Sequence, residues 1–279
     1  MQSGAWLQDL RGQLPAHAAV IEALALTVSA VEALRWLEVG CSIGSGRADE
    51  LSDIDAAIGF MDGTDIETVG QAVVSEVGAV VDSLVHALAG APEPTRRFAV
   101  EFEVGIQLDL VLMPASWRTG LFDGTVAVVD KDGLLGHRAV SVHAGPPSQA
   151  TAREWVMLGW WAVSDVAKFI HRNSPFEAAA RIDNVRDMAL RLHAAAHNTP
   201  FAEFGLTSIL DFPPFELPAR LADTYCLPDH PDSVRSAALA VVELLKASSQ
   251  VASETLVVDL ATPWQSIATA RLNAAAGPR

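Results

Sequence analysis

Two aspartates separated by a single residue, Asp53 and Asp55, are the residues of this sequence that most clearly suggest chemistry. In a β-strand, side chains two positions apart point to the same face, so the two carboxylates would lie side by side. Paired carboxylates offer the hard oxygen ligands that Mg²⁺ and Mn²⁺ prefer. The spacing therefore predicts a divalent metal site on one face of a strand.

A loop of small residues, 40–46, comes shortly before the aspartate pair. Its glycines would let backbone amides approach an anion closely, and the hydroxyls of Ser42 and Ser45 and the charge of Arg47 add donors. A phosphate-binding loop followed at short range by a metal site suggests nucleotidyl transfer. The chain has neither the glycine pattern of a P-loop nor that of a dinucleotide-binding fold.

A third carboxylate, Asp109, lies in the middle of an apolar segment that is predicted to be a strand. If that strand lies beside the aspartate pair, three carboxylates converge and can support a two-metal reaction. Asp53 and Asp55 would bind the metal that carries a triphosphate, and all three would bind a second metal beside the acceptor hydroxyl. Asp109 could also accept the hydroxyl proton. Glu101 and Glu103 are alternative bases, although alternating charges on a solvent-facing strand explain them about as well.

The elements around these residues predict an α+β fold with a mixed sheet. A helix is predicted over 16–35, before the first strand. Apolar residues at every third or fourth position predict a second helix from Asp65 to Leu88, which would end near Gly90 and Pro92. Five segments are predicted strands, namely 34–39, 53–60, 98–104, 106–113 and 125–130.

The second half of the chain is predicted to be helical. The Gly-Pro-Pro of residues 145–147 is the best candidate for a linker, so we place a catalytic domain at 1–145 and a helical domain at 146–279. A capping box with proline at the first helical position begins at Ser174. Helices are predicted over 152–172, 175–195 and 233–250, and ordered loops with short helices over 200–231.

Composition limits the classes of partner. The formal net charge is -15, and residues 1–150 carry 20 acidic against 8 basic side chains, which argues against general binding to nucleic acid backbones. No apolar window approaches the length of a membrane span, and the first residues lack the pattern of a signal peptide. Two cysteines far apart predict no disulfide framework. We therefore expect a cytoplasmic protein that binds neither nucleic acid nor membrane. The oligomeric state is not indicated.

The order of these features resembles the polymerase-beta-like nucleotidyltransferase superfamily, whose pattern is Gly-Ser, a short loop, Asp-x-Asp and a third carboxylate on a later strand. Residues 126–133 and the helix 155–171 are similar to the streptomycin-type aminoglycoside adenylyltransferases, so the resemblance covers most of the chain. It implies ATP as co-substrate, two Mg²⁺ ions and a helical domain that closes the acceptor pocket. It also implies metal binding and catalysis by Asp53, Asp55 and Asp109, and nucleotide binding by Ser42, Ser45, Arg47 and Lys168.

The loop departs from that pattern. Where the superfamily has Gly-Ser, this chain has Gly40-Cys41-Ser42 or, closer to the aspartate pair, Gly44-Ser45. We favour Ser42 as the phosphate-binding serine because the number of residues that separates it from Asp53 is the more common spacing in the superfamily.

The acceptor site is less marked in the sequence than the metal site. Residues 151–279 carry 14 acidic against 11 basic side chains, whereas a polycationic acceptor would require several carboxylates around its amines. Glu177, Asp183 and Asp187 are candidates for that pocket, or they form the solvated face of a helix.

These features predict an ATP- and Mg²⁺-dependent O-nucleotidyltransferase that adenylylates a small hydroxylated acceptor. An aminoglycoside is the favoured acceptor, which would make the activity one of antibiotic resistance. One alternative keeps the chemistry and changes the acceptor to a protein hydroxyl, as in toxin-antitoxin nucleotidyltransferases, or to another metabolite. A second alternative is a catalytically silent nucleotide-binding module. The presence of all three aspartates counts against it.

Overall fold

A computed structural model describes residues 2–88, 93–139, 145–212 and 216–277. The chain divides into two compact units, residues 1–140 and residues 141–279. The first combines a six-stranded sheet with helices, and the second has helices joined by loops, with no strand in its described part. The prediction of an α+β fold with a mixed sheet followed by a helical region is confirmed.

The described residues of the first unit form four α-helices and six strands. The helices are α1 (Gln2–Gln13), α2 (Pro15–Ala30), the short α3 (Cys41–Gly44) and α4 (Ile66–Val77). The strands are β1 (Leu34–Val39), β2 (Ile54–Phe60), β3 (Val80–Ala87), β4 (Arg96–Phe102), β5 (Gln107–Pro114) and β6 (Val126–Asp130).

The sheet is mixed, with the strand order β3-β4-β5-β2-β1-β6. The central pair, β2 and β5, is parallel, and every other neighbouring pair is antiparallel. A parallel pair needs a crossover connection. Here the chain between β2 and β5 supplies α4 and the strands β3 and β4, of which β3 is at the edge of the sheet.

Alternation along the strands gives the sheet two different faces. The helix-covered face packs its apolar side chains against α1, α2 and α4 in one continuous core. The helix α4 approaches this face closely through Gly70, where an added Cβ would lie 2.2 Å from the ring of Phe98. Strand residues in this core include Leu37, Ile54, Ile58, Phe98, Val100, Leu108 and Leu110.

The opposite side of the sheet has a second apolar region around β1, the second half of β2 and the end of β5. There Trp36 and Ala57 pack with Ala115 and Leu135 in a small second core. Over β4 and the starts of β2 and β5 the same side carries polar residues, which we call the polar face. Its members are Asp55, Arg97, Glu101, Gln107 and Asp109.

The predicted helix from Asp65 to Leu88 is wrong in its second half. The helix α4 ends at Val77, Gly78 is fully extended, and Val80–Ala87 forms the edge strand β3. Apolar residues four apart, such as Val80 and Leu84, share a face in a helix and equally in a strand, so their spacing did not distinguish the two. Pairing with β4 decided the outcome. Residues 89–92, where the predicted helix would end, lie outside the described residues.

The second unit is built from helices α5 (Gln149–His171), α6 (Pro175–Ala196), α7 (Leu206–Asp211), α8 (Pro231–Leu256) and α9 (Trp264–Ala276). The predicted helices correspond to α5, α6 and α8, and α9 was not predicted. The predicted loops and short helices over 200–231 are also found, with residues 213–215 outside the described part. Side chains of α5, α6, α8 and α9 share one core, in which Trp160 is fully buried while the adjacent Trp161 is exposed.

The predicted capping box at Ser174 does not form. Ser174 precedes α6 but its side chain makes no capping hydrogen bond, whereas Ser148, before α5, accepts one from the amide of Thr151 at 3.1 Å. Proline at the first turn already removes one of the unpaired amides that such a cap would satisfy. Among the described residues, no helix combines the length and the apolarity that a membrane crossing requires.

Candidate active site

The loop after β1 is a tight turn that requires glycine. Residues Cys41–Gly44 form one short helical turn, and Cys41 adopts a left-handed conformation with φ of 49°. An added Cβ at Gly44 would lie 2.3 Å from the carbonyl oxygen of Gly124 and 2.6 Å from that of Val39. Only glycine fits between these two backbone segments, so the loop lies directly against the segment before β6.

The two serines of the loop have different environments. The Ser45 hydroxyl donates to the carbonyl oxygen of Cys41 at 2.6 Å and accepts from Nε of Arg47 at 3.1 Å. No hydrogen bond to the Ser42 hydroxyl is found among the described residues. Ser45 therefore holds the loop together, whereas the Ser42 hydroxyl remains available to a ligand. The role of Ser42 in phosphate binding stays a prediction.

The aspartate pair lies where the loop meets the sheet. Asp55 is the second residue of β2 and is half-buried, and its carbonyl oxygen accepts from the amide of Gly40 at 2.9 Å. Asp53 is exposed and precedes the strand. The buried His17 of α2 is 2.7 Å, through Nε2, from the carbonyl oxygen of Ser52. This contact holds in place the backbone of Ser52, which directly precedes Asp53.

Asp109 lies directly beside Asp55. The two are register partners in the parallel pair β2 and β5, so both carboxylates lie on the polar face. The adjacency that the sequence suggested is confirmed. On its other side Asp109 forms an ion pair with Arg97 of β4 through two parallel bonds, Nε to Oδ1 at 2.7 Å and Nη2 to Oδ2. No such pairing was predicted from the sequence.

The carboxylates influence one another electrostatically. Burial raises the pKa of the Asp55 carboxyl, and the hydrogen bond that the Cys41 thiol donates lowers it. The negative charges of Asp53 and Asp109 raise it further, and the Arg97 guanidinium lowers it. A nearby cation would therefore strongly stabilise the charged form of this half-buried carboxylate.

Cys41 contributes a thiol to this site without becoming a nucleophile. Although part of Cys41 reaches the surface, desolvation of its sulfur and the charge of Asp55 raise the pKa of the thiol to about 12. Asp53 and Asp109 act in the same direction. At neutral pH the thiol stays protonated and donates to Asp55, so covalent chemistry at this sulfur is disfavoured.

The donor set suits one divalent cation more readily than two. Asp53 and Asp55 supply hard oxygen ligands, and neither has an ion-pair partner among the described residues. Asp109 is already paired with Arg97, so a cation that it shared with them would lie close to the guanidinium charge. The described part of the chain contains no group of three or more His, Cys, Asp or Glu side chains arranged to hold a metal ion.

A cleft of about 490 Å³ opens beside the carboxylates on the polar face. Its lining includes Asp53, Asp82, Glu101 and Asp109, with Arg97 as the basic member. The cleft is therefore strongly acidic. Of the two glutamates considered as bases, Glu101 lines this cleft.

Two comparisons with known proteins find no relative, and the third finds a distant structural likeness. No protein-family model matches the chain, and no curated protein matches it. An aminoglycoside 6-adenyltransferase from Bacillus subtilis is similar in structure, with 17% sequence identity and a TM-score of 0.41. That alignment covers 92% of this chain and 96% of the other.

A buried ion pair near the site was missed by the sequence analysis. Glu38 of β1 is 4% exposed, and its register partner is Ala57, which places it on the same side of the sheet as Asp55. Its carboxylate lies 2.8 Å from the guanidinium of Arg118, which also stacks over Phe122. Burial raises the pKa of Glu38 to about 7, and the charge of Arg118 opposes this shift. A single glutamate in the apolar strand β1 was the available signal.

The remaining predicted residues lie in the second unit. Lys168 is on α5, where its ammonium group lies 2.5 Å from Asp165, and it lines a cleft of about 840 Å³ with Trp161 and Arg172. Its role in nucleotide binding stays a prediction.

The three acidic candidates for an acceptor pocket all lie on α6. Glu177 is exposed in the first turn. Asp183 pairs with Arg186 at 2.6 Å, and Asp187 pairs with Arg191 at 2.9 Å. Both pairs join residues three or four apart on one helix. Arg186 itself is buried and also donates to the Thr224 hydroxyl at 2.8 Å. A role for Glu177 or Asp183 in acceptor binding remains untested.

Proposed function

We propose that this protein is a metal-dependent O-nucleotidyltransferase that transfers AMP from ATP to a hydroxyl of a small acceptor. The observation that carries the proposal is the juxtaposition of Asp55 and Asp109 on the parallel strands β2 and β5. Beside them lies a glycine loop whose Ser42 hydroxyl is available to a phosphate. Carboxylates for a cation and donors for an anion are the two parts that transfer of a nucleotidyl group requires.

Each residue of the site would have a separate role in the reaction. Asp53 and Asp55 would hold Mg²⁺, which when bound neutralises phosphate charge and orients the triphosphate. The Ser42 hydroxyl and the amides of the loop would hold phosphate oxygens. Asp109 would accept the proton of the attacking hydroxyl, with Glu101 of the same cleft as the alternative base.

The charge of the cleft favours a cationic acceptor. Asp82 and Glu101 line it together with Asp53 and Asp109, and Arg97 is the one basic side chain among its described lining residues. A hydroxylated polyamine such as an aminoglycoside meets both requirements, because its amines pair with carboxylates and its hydroxyls can be adenylylated. Another metabolite or a protein hydroxyl is the alternative acceptor, and a silent nucleotide-binding module is the alternative outside enzymes.

The test is mass spectrometry of a panel of aminoglycosides and other hydroxylated molecules after incubation with the protein, ATP and Mg²⁺. Pyrophosphate release is followed in parallel. Asp55→Asn is the inactive variant, and Asp132→Asn, whose carboxylate pairs with Arg35 outside the cleft, is the matched control.

An adduct of AMP on one acceptor, lost in Asp55→Asn and kept in Asp132→Asn, supports the proposal. Pyrophosphate release without a small-molecule adduct transfers the proposal to protein acceptors. If neither an adduct nor pyrophosphate release is detected with several nucleotides, the result favours the catalytically silent nucleotide-binding module.

A further inference from the structure

The ion pair between Arg97 and Asp109 has a consequence for metal binding, and this inference rests on the proposed function. Both carboxylate oxygens of Asp109 are engaged by the guanidinium in a parallel, two-bond arrangement. Paired bonds of this kind are the strongest type of hydrogen bond between charged side chains. The oxygens that a metal shared with Asp55 would need are therefore already bound to a cation.

The same guanidinium also faces the other two carboxylates. The charges of Asp53 and Asp55 both stabilise protonated Arg97, together with that of Asp109. Arg97 is 40% exposed at its side chain, whereas Asp109 is 20% exposed. The guanidinium can therefore turn toward solvent while the carboxylate stays in place.

We propose that Arg97 is a resident counterion of the carboxylate site, which a divalent cation must displace from Asp109 before all three aspartates can share it. Two positive charges cannot occupy the same carboxylate oxygens without repulsion. Metal binding is then an exchange of one cation for another. Once displaced, the guanidinium remains beside the cleft, where it can pair with an anion that arrives with the metal.

The neighbouring arginine supplies a matched control. Arg96 precedes Arg97 in β4 and points to the opposite side of the strand. It forms ion pairs with Glu67 and Glu93 and does not line the acidic cleft. Removing either guanidinium changes the net charge by the same amount, so general charge effects cancel between the two variants.

The experiment is a titration of the protein with Mn²⁺ alone, followed by electron paramagnetic resonance of the free ion and by calorimetry. Wild type, Arg97→Gln, Arg97→Ala and Arg96→Gln are compared after circular dichroism has shown that each folds. Loss of the competing ion pair is expected to tighten Mn²⁺ binding about five- to tenfold in both Arg97 variants. Arg96→Gln is expected to bind Mn²⁺ like wild type. Adding Asp55→Asn to Arg97→Gln should remove the gain.

A second measurement follows the arginine directly. In ¹⁵N spectra, the Nε–H signal that disappears in Arg97→Gln is expected to shift when Mg²⁺ is added to wild type, while that of Arg96 stays in place. Equal Mn²⁺ affinity in wild type and the Arg97 variants overturns the proposal, as does a stationary Arg97 signal. If AMP transfer is nevertheless observed, the proposed function stands without the exchange. If transfer and Mn²⁺ binding are both absent in wild type, the proposed function fails as well.

Discussion

The two faces of the central sheet use the same strands for opposite purposes. In β4, Phe98 is buried in the core beneath α4, and its neighbour Arg97 points the other way to pair with Asp109. On the helix-covered face, apolar contacts stabilise the fold. On the polar face, negatively charged carboxylates lie close together, and their mutual repulsion favours the binding of a cation. Adjacent residues of one strand therefore have different roles: one stabilises the fold, and the next belongs to the site where chemistry is expected.

The largest expected effect comes from the helix-covered face. Phe98→Ala is expected to lower the free energy of unfolding by about 3–5 kcal/mol, because it removes a buried ring and leaves a cavity beside Gly70. The adjacent Arg97→Ala is expected to cost less than about 1 kcal/mol, since a partly exposed ion pair contributes little. Chemical denaturation of both variants measures the difference. Similar losses would contradict the division of labour between the two faces.

The next effect lies on the polar face. Asp55→Asn is expected to reduce AMP transfer by about 10²- to 10³-fold, because the amide does not provide an anionic ligand. Its stability is expected to equal or exceed that of wild type, since burial raises the pKa of Asp55 and so makes its charged form costly at neutral pH. Pyrophosphate release and thermal unfolding on the same samples test both parts. A strongly destabilised variant would show that Asp55 is structural.

Glu38, on the side of the sheet opposite the helices, is expected to make the stability of the protein depend on pH. Its folded-state pKa of about 7 lies above the ordinary value of 4.5, so the folded protein binds the proton more tightly. Its contribution therefore favours the folded state at low pH and is lost as pH rises through about 4.5 to 7, by on the order of 2–3 kcal/mol. Other carboxylates titrate in the same range, so the quantity to measure is the difference between wild type and Glu38→Gln. A difference that does not change between pH 5 and pH 8 would contradict the raised pKa.

The smallest effects concern the two serines of the loop. Ser42→Ala is expected to weaken binding of Mg²⁺-ATP about three- to tenfold without a change in stability, because its hydroxyl has no partner among the described residues. Ser45→Ala is expected to lower stability by about 0.5–1 kcal/mol, because its hydroxyl bonds the carbonyl oxygen of Cys41. Calorimetry with ATP and thermal unfolding separate the two effects. The reverse result would make Ser45 the phosphate-binding residue.

Several elements were predictable because their signals are local. The apolar segments that became β1, β2 and β5 have the length and composition of buried strands, and α5 has a long apolar stripe. The segment Val80–Ala87 was not predictable in this way, because its apolar spacing fits both a helix and a strand. Only hydrogen bonding to β4 distinguishes them, and that partner lies later in the chain.

The sequence by itself determined which residues could do chemistry: two aspartates one residue apart, a glycine loop before them and a third aspartate in a later strand. These are properties of type and short-range spacing, which the chain carries before it folds. The tertiary structure alone decided that Arg97 binds Asp109 and that Glu38 is buried against Arg118. Both pairings depend on strand register and on which side chains share a face, and these are set by the packing of the whole sheet rather than by local sequence.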